Sequence, residues 1–324
     1  MGTPVFAPQM LRKDVRGEFI EALMAPREPL LFERIATTMQ SVSDRENYAW
    51  LSEVYEMEEF VDSMPIQPLT DSVGLTPETG ADEPGYEVKN KTYAGALVFK
   101  RDDLADEKVG GYQQRIRDSA VRALRKPDAL LVAKLIAGTT DTCYLRAGAT
   151  GEAFFSATHA ARGKQTTTWS NLLTGTGTSI AQCITDIASA LAALYTITDE
   201  AGVPMNREYG RSIFVLHPAA LEVQMRTAVL AAMVSQTSNV GFAPLIELIR
   251  EPLLDLDSVN DYYVGILDAP VRGLIWQDRE GVRLEQIGEG SEMWTNLRQV
   301  EYAVTRRGAP AFGRPQRLIK INNT

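Results

Sequence analysis

Apolar residues recur with a helical period in two long stretches of this chain and with a strand-like period in its last third. In "DLADEKVGGYQQRIRDSAVRALRKPDALLVAKLIAG" (103–138), Ile116, Ala120 and Leu124 fall four apart, on one face of a helix. Asp102, Asp103, Asp106 and Glu107 precede that face, where the positive end of a helix dipole favours acids. Pro127 has no N–H to give the ladder, so it predicts a kink or the start of a second helix, and Gly138 a C-terminal stop. Ser179 and Gln182 have capping-box spacing. Behind them Ile180, Cys183, Ile184, Ile187, Leu191 and Leu194 mark one apolar stripe, which puts Cys183 in a core. "RSIFVLHPAALEVQMRTAV" predicts a strand at 211–216, then a helix with Pro218 in its first turn. "DYYVGIL", "GLIWQD", "GVRLEQI" and "RLIKIN" read as strands. "LRQVEYAVTRRG" alternates Val300, Tyr302 and Val304 against polar neighbours, as a half-buried strand does.

Two regions break these rhythms. Residues 1 to 55 read as helical and amphipathic only in patches. Residues 62 to 86 carry Pro65, Pro68, Pro77 and Pro84 with three glycines and acids between, too long a run for an ordinary connection. They read as a projecting loop or hairpin, from which "YEVKNKTYAGALVFKRDD" returns as a strand. No fixed-period repeat is visible.

Composition narrows the class. The 324 residues are 44% hydrophobic, enough for a large core and about two domains. Lys and Arg number 33 against 42 Asp and Glu, a net charge of −9, unlike a protein that reads nucleic acid with clustered cations. No apolar run reaches the roughly 18 residues of a membrane span, and the first residues hold no apolar signal core. Phe6 stands where a myristoylation site wants Ser or Thr. Cys143 and Cys183 are far apart, and reduced thiols are expected. These features predict a soluble, intracellularly made protein of mixed α and β structure.

Candidate chemistry centres on "GEAFFSATHAARG" (151–163), which holds Ser156 and one of only two histidines, His159. A Ser156–His159 hydrolase is the reading from the enzyme class, but no G-x-S-x-G elbow surrounds the serine. The adjacent Phe154 and Phe155 fit a packed corner better, with His159 making a structural hydrogen bond. Cys143, His159, Cys183 and His217 are too scattered for a zinc site. His217, before Pro218, suits capping or packing. "TGTGT" (174–178) lacks the Lys-Ser/Thr ending of a phosphate loop and reads as a flexible loop. Asp102 and Asp103 read as a solvated helix start. Arg306, Arg307, Arg314, Arg317 and Lys320 form a basic region that reads as solvated strand edges, or else faces nucleic acid or a neighbour's acids. No catalytic set, metal site or cofactor is expected.

In order and spacing, several blocks together resemble a known family. "NYAWLSEVYEMEEF" is similar to an aromatic segment ahead of a projecting loop, and "YEVKNKTYAGALVFKRDDLADEKVGGY" to a strand, an Arg-Asp-Asp, acids and a Gly-x-Tyr entering a long helix. "KPDALLVAKLIAG", "CYLRAGATGEAFFSATHAARG" and "DEAGVPMNREYGRSIFVLHPAALEVQMR" continue the match. The chain resembles the Mu-like phage major head subunits, over most of residues 40 to 255. It departs from them in having "ATGEAFF" where the family usually has Asp-Gly before Phe-Phe, and in the length of 62–86.

The resemblance implies an α+β, HK97-type capsid fold. Its parts would be an N-terminal arm at 1–55, an extended loop (β-hairpin) at 56–100, a peripheral domain with a spine helix at 101–165, an axial domain at 166–290, and return strands of the peripheral domain at 291–324. It implies assembly roles for Tyr48, Trp50, Arg101, Asp102, Phe154, Phe155 and His159. Its partners would be copies of itself in pentamers and hexamers, a scaffolding protein, a portal, head-completion or decoration proteins, and double-stranded DNA contacted non-specifically, with no membrane. Its place would be the virion, after assembly in the host cytoplasm. An encapsulin-like nanocompartment shell shares the fold and is the nearest alternative. Lys89, Asn90 and Lys91 are candidates for the Lys–Asn cross-links of some relatives, although lysines on an exposed strand need no special role.

Overall fold

The structure, a computed structural model, describes residues 8–25, 27–52, 86–100, 109–147, 150–162, 165–199, 202–230, 233–234, 237–238, 246–287 and 299–323. In chain order these form α1 (Pro8–Met24), α2 (Leu31–Ile35), β1 (Ala36–Gln40), β2 (Arg45–Asn47), β3 (Glu87–Lys89), β4 (Lys91–Lys100), α3 (Val109–Ile136), β5 (Thr142–Ala147), β6 (Thr150–Ala153), β7 (Leu172–Thr174), α4 (Ile180–Thr196), β8 (Ile213–His217), α5 (Glu222–Leu230), β9 (Met233–Val234), β10 (Thr237–Ser238), β11 (Ile246–Arg250), β12 (Tyr262–Ile266), β13 (Leu274–Ile287), β14 (Gln299–Phe312) and β15 (Leu318–Asn322).

Two sheets organise the chain. The first runs β1-β13-β14-β4, with β1 parallel to β13 and the other pairs antiparallel. The second runs β11-β8-β12-β15-β7, parallel at both edges and antiparallel in the middle. The predicted pair "GLIWQD" and "GVRLEQI" is a single strand, β13. Register shifts between Asp278 and Glu280, and again before Arg283, absorb the intervening polar residues. The last strand differs from its expected grouping. β15 lies between β12 and β7 of the second sheet, while β13, numbered with the axial part, pairs with β1 and β14.

Helices cover each sheet with the faces their periodicity predicts. On α3, Ile116 and Ala120 are fully buried and pack with Phe19 of α1, Phe99, Tyr302 and Val304. α3 runs unbroken through Pro127, so no second helix starts there. The next residue, Asp128, accepts the Phe32 N–H at 2.9 Å, which ties α2 to α3. On α4, Cys183, Ile187, Leu191 and Leu194 face β8, β12 and β15. Gln182 accepts the Ser179 N–H at 3.1 Å, closing the predicted cap.

Residues 30 to 51 are not a free arm. Leu30, Leu31, Phe32, Ile35, Ala36, Tyr48 and Leu51 belong to the central core, and β1 is a strand of the first sheet. The reason is the apolar run from Leu30 to Ala36, broken only by Glu33 and Arg34, which no arm could leave in water. Arg272 locks it in place, donating from Nη1 to the carbonyls of Arg34 (2.7 Å) and Ala36 (2.9 Å) and from Nε to Leu267 (2.9 Å). Burial pulls its pKa below the ordinary arginine value.

β2 pairs antiparallel with β3 from Arg45–Lys89 to Asn47–Glu87, which brings together described residues from either side of 53–85. A buried polar chain underlies that pair. Gln277 accepts from Tyr48 Oη at 2.9 Å and donates to Asn90 Oδ1 at 2.8 Å, while Asn90 Nδ2 donates to Ser41 Oγ at 2.8 Å. Asn90 is therefore buried and engaged, not presented on an exposed strand. Replacing Gln277 by Leu takes away the acceptor of the Tyr48 hydroxyl and the donor to Asn90 Oδ1. Urea unfolding of Gln277→Leu is expected to show a loss of about 2–4 kcal/mol; a neutral result would mean this chain does not anchor the pair.

Candidate functional site

The block 151–163 sits where the two sheets meet. β5 and β6 form a short antiparallel pair after α3 and deliver Phe154 and Phe155 into the central core. Phe154 stacks on Phe312 of the first sheet, centroids 4.3 Å apart and planes 9° from parallel. Phe155 stands edge-on to Phe154 at 4.8 Å and meets Tyr263 of the second sheet at 5.6 Å. Gly138, the predicted helix stop, is needed for a further reason. A Cβ there would lie 2.7 Å from the Phe155 ring. Lys134 caps the stack, its Nζ 4.3 Å from the Phe312 centroid and 2.7 Å from Asp141 Oδ2.

His159 is fully buried beside this stack. Its ring lies on Trp169, centroids 4.1 Å apart, and a backbone bridge joins the two residues. Asn171 Oδ1 accepts from the Ser156 N–H at 2.9 Å, and Asn171 Nδ2 donates to the carbonyls of Phe154 (2.8 Å) and Pro315 (3.2 Å). Three backbone groups thus fix the orientation of that amide. Its oxygen can only accept, so His159 Nε2, 3.0 Å away, carries a hydrogen and donates. His159 Nδ1 faces Glu152 Oε2 at 2.9 Å, and Glu152 is also held by Arg162 at 3.2 Å. Both ring nitrogens are committed. Ser156 Oγ accepts from the Thr158 N–H at 3.1 Å. A serine nucleophile with His159 as its base has no support in this geometry.

The other sequence candidates separate. Tyr48, expected on an exposed arm, is buried against Tyr86 (6.3 Å) and Trp50 (6.4 Å) because its hydroxyl has Gln277 to bond; Trp50 remains 40% exposed. Arg101, Asp102 and Asp103 lie outside the described residues. Cys143 and Cys183 sit in different cores, and burial pushes their thiols up to about 12 and about 11. His217 is buried, with Nδ1 2.9 Å from Pro218 O, and desolvation lowers its pKa. The 174–178 loop, expected to be flexible, is tied to α4 and the C-terminal stretch by hydrogen bonds. Asp186 takes the Thr176 N–H and hydroxyl, and Asn323 Oδ1 takes the Gly177 N–H at 3.0 Å. Those N–H groups are spent on the protein and cannot cradle a phosphate.

Of the basic C-terminal residues, Arg306, Arg317 and Lys320 are buried, not solvated strand edges. Arg306 is 8% exposed, with its guanidinium 5.4 Å from the Phe32 centroid and 5.5 Å from that of Trp276. Lys320 pairs with buried Asp261 at 3.1 Å, and Arg307 with Asp44 at 2.7 Å. Cation–π contact and a carboxylate partner let Arg306 and Lys320 enter the core, while Arg307 and Asp44 pair at the surface. Sequence reading missed Asn171 and Gln277. Asn171 follows Ser170 and Gln277 precedes Asp278, and no motif marks either.

Phe155→Ala should cost about 3–5 kcal/mol in urea unfolding, the range for a large aromatic removed from a core. Asn171→Leu should cost about as much, because it strands several buried groups at once. Ser156→Ala should change stability by less than about 1 kcal/mol. Equal losses for all three would mean that this corner is not organised around Phe155 and Asn171.

Comparison with known proteins places the geometry. The major capsid protein of Escherichia phage Mu is 28% identical over 148 residues, 46% of this chain and 41% of that protein. The Mu-like prophage FluMu major head subunit of Haemophilus influenzae is 30% identical over 133 residues, 41% of this chain and 38% of that protein. The matched stretches thus span about two fifths of each relative's length. A solved structure, the procapsid of bacteriophage JBD30, matches 100% of this chain and 77% of its own with a TM-score of 0.53 at 18% identity, a likeness of fold alone. The α+β architecture is that of phage capsid subunits of the HK97 type. Residues 9–195, more than half of the chain, match the model of the family described as Mu-like prophage major head subunit gpT, and the chain belongs to that family.

Proposed function

We propose that this chain is the major head protein of a tailed double-stranded DNA phage or prophage, and that its work is to close copies of itself into an icosahedral shell. The observation that carries the reading is the family match over 9–195 joined to a capsid-subunit fold along the whole chain. No catalytic step enters it. His159, the residue best placed for one, is sealed and has both nitrogens engaged.

Each part then has a task. The first sheet with α3 and α1 forms the peripheral unit, and α3 is its spine. The second sheet with α4 and α5 forms the axial unit, which meets its copies at the centre of a pentamer or hexamer. The Phe154–Phe155 corner holds the two at a fixed angle. The extended loop takes its footing on the β2–β3 pair and reaches a neighbour. Rings form because each contact is heterologous and its rotation closes; many weak contacts then act together. Scaffolding protein, portal, and head-completion or decoration proteins assist, and the shell is built in the host cytoplasm before it becomes the virion. DNA is touched without sequence preference, and the acidic balance of −9 keeps it from adhering tightly.

Electron microscopy of the purified protein, alone and with the neighbouring phage gene products, should show closed shells or rings of five and six. Monomers that persist with those partners present would overturn the reading.

A further inference from the structure

A pocket of about 420 Å³ opens between the turn at 199–209, the loop at Pro270–Val271 and the corner at 314–317. Arg207, Arg314, Arg317, Met205, Tyr209 and Val271 are among its lining residues. We propose that this pocket receives a carboxylate from a second copy of this chain. The inference rests on the shell reading above and names one contact of the shell.

Arg317 carries the argument. It is 5% exposed, yet among the described residues no carboxylate pairs with it. Its Nη1 donates to the Val271 carbonyl, its guanidinium lies 4.9 Å from the Tyr209 centroid, and its Nε has no partner. Burial, and then the charge of Arg314, lower its pKa to about 10. Lys320 is buried to the same degree, and there the fold supplies Asp261. A cation taken out of water without a counter-charge is costly, and a planar fork with a free N–H suits a carboxylate.

The acids nearest the pocket are already used. Asp199 Oδ1 accepts the Val203 N–H at 2.9 Å, and both oxygens of Asp268 accept from Gly210 and Arg211. Glu208 reaches only Arg207, at 3.5 Å, with both side chains about 70% exposed. A second copy has carboxylates to offer. The chain carries 42 acids against 33 bases, and residues 53–85 alone hold nine Asp and Glu with no Lys or Arg. That surplus favours a side-chain carboxylate over a free phosphate as the occupant.

Arg314 is only half-buried and lends itself to substitution. In shells of Arg314→Lys, a water-soluble carbodiimide should join the introduced amine to an Asp or Glu of another copy, and peptide mapping should find that link. Arg314→Lys shells with no inter-chain link at position 314, or with links only to Asp199 or Glu208 of the same chain, would overturn the proposal. Unassembled protein gives a separate readout if shells never close. Glutarate at matched ionic strength should raise the melting temperature of the parent by about 2 °C or more by mass action, and the shift should fall at least by about half in Arg314→Ala. No glutarate shift, or a shift with inorganic phosphate alone, would overturn the pocket whether or not shells form.

Discussion

The stack of Phe154 on Phe312 is the contact on which the two halves of the molecule depend. One ring belongs to the corner after the long helix, and the other ends a strand of the first sheet. Phe155 then carries the contact to Tyr263 of the second sheet. Aromatic rings are rigid and large, so a few of them can set the angle between two sheets that share no strand. Gly138 shows how tightly the corner is built, since even a methyl group there would strike the Phe155 ring.

Around that stack, segments distant in sequence are held together by buried and half-buried polar side chains. Asn171 gathers the 156–159 turn and Pro315. Gln277 gathers Tyr48 and Asn90 under the β2–β3 pair. Arg272 gathers the end of α2 and the start of β1. Each of these side chains reaches segments far from it in sequence. Each satisfies backbone or side-chain groups that would otherwise be stranded without water. Apolar packing sets the layers, and these few polar residues set where the connections cross them.

Much of this was legible in the sequence, and the rest failed for physical reasons. The faces of α3 and α4 followed from their period, as did the alternation of Tyr302 and Val304. The capping pair Ser179–Gln182 and the Gly138 stop were also readable. The strand "ATTMQ" was not, because its residues are mostly polar and only its parallel pairing with β13 makes it a strand. Pro127 left a kink or a second helix open, and α3 runs on through it as one helix. The late arginines misled. Charge suggests water, but the aromatic faces of Phe32, Trp276 and Tyr209 that receive them come from distant segments. His159 read correctly as a buried corner residue beside two phenylalanines, while its partner Asn171 carried no signal.

The position of β15 has a consequence for timing. It lies between β12 and β7, so the second sheet has a gap in its interior until residues 318–322 arrive. On a ribosome those residues emerge after all the other strands. Until then β7 has no neighbour in its sheet, and Asp261, which takes both the Asn323 N–H and the Lys320 ammonium, stands without either. A nascent chain therefore cannot complete its core early. The second sheet closes only after the stretch to Asn323 has been made.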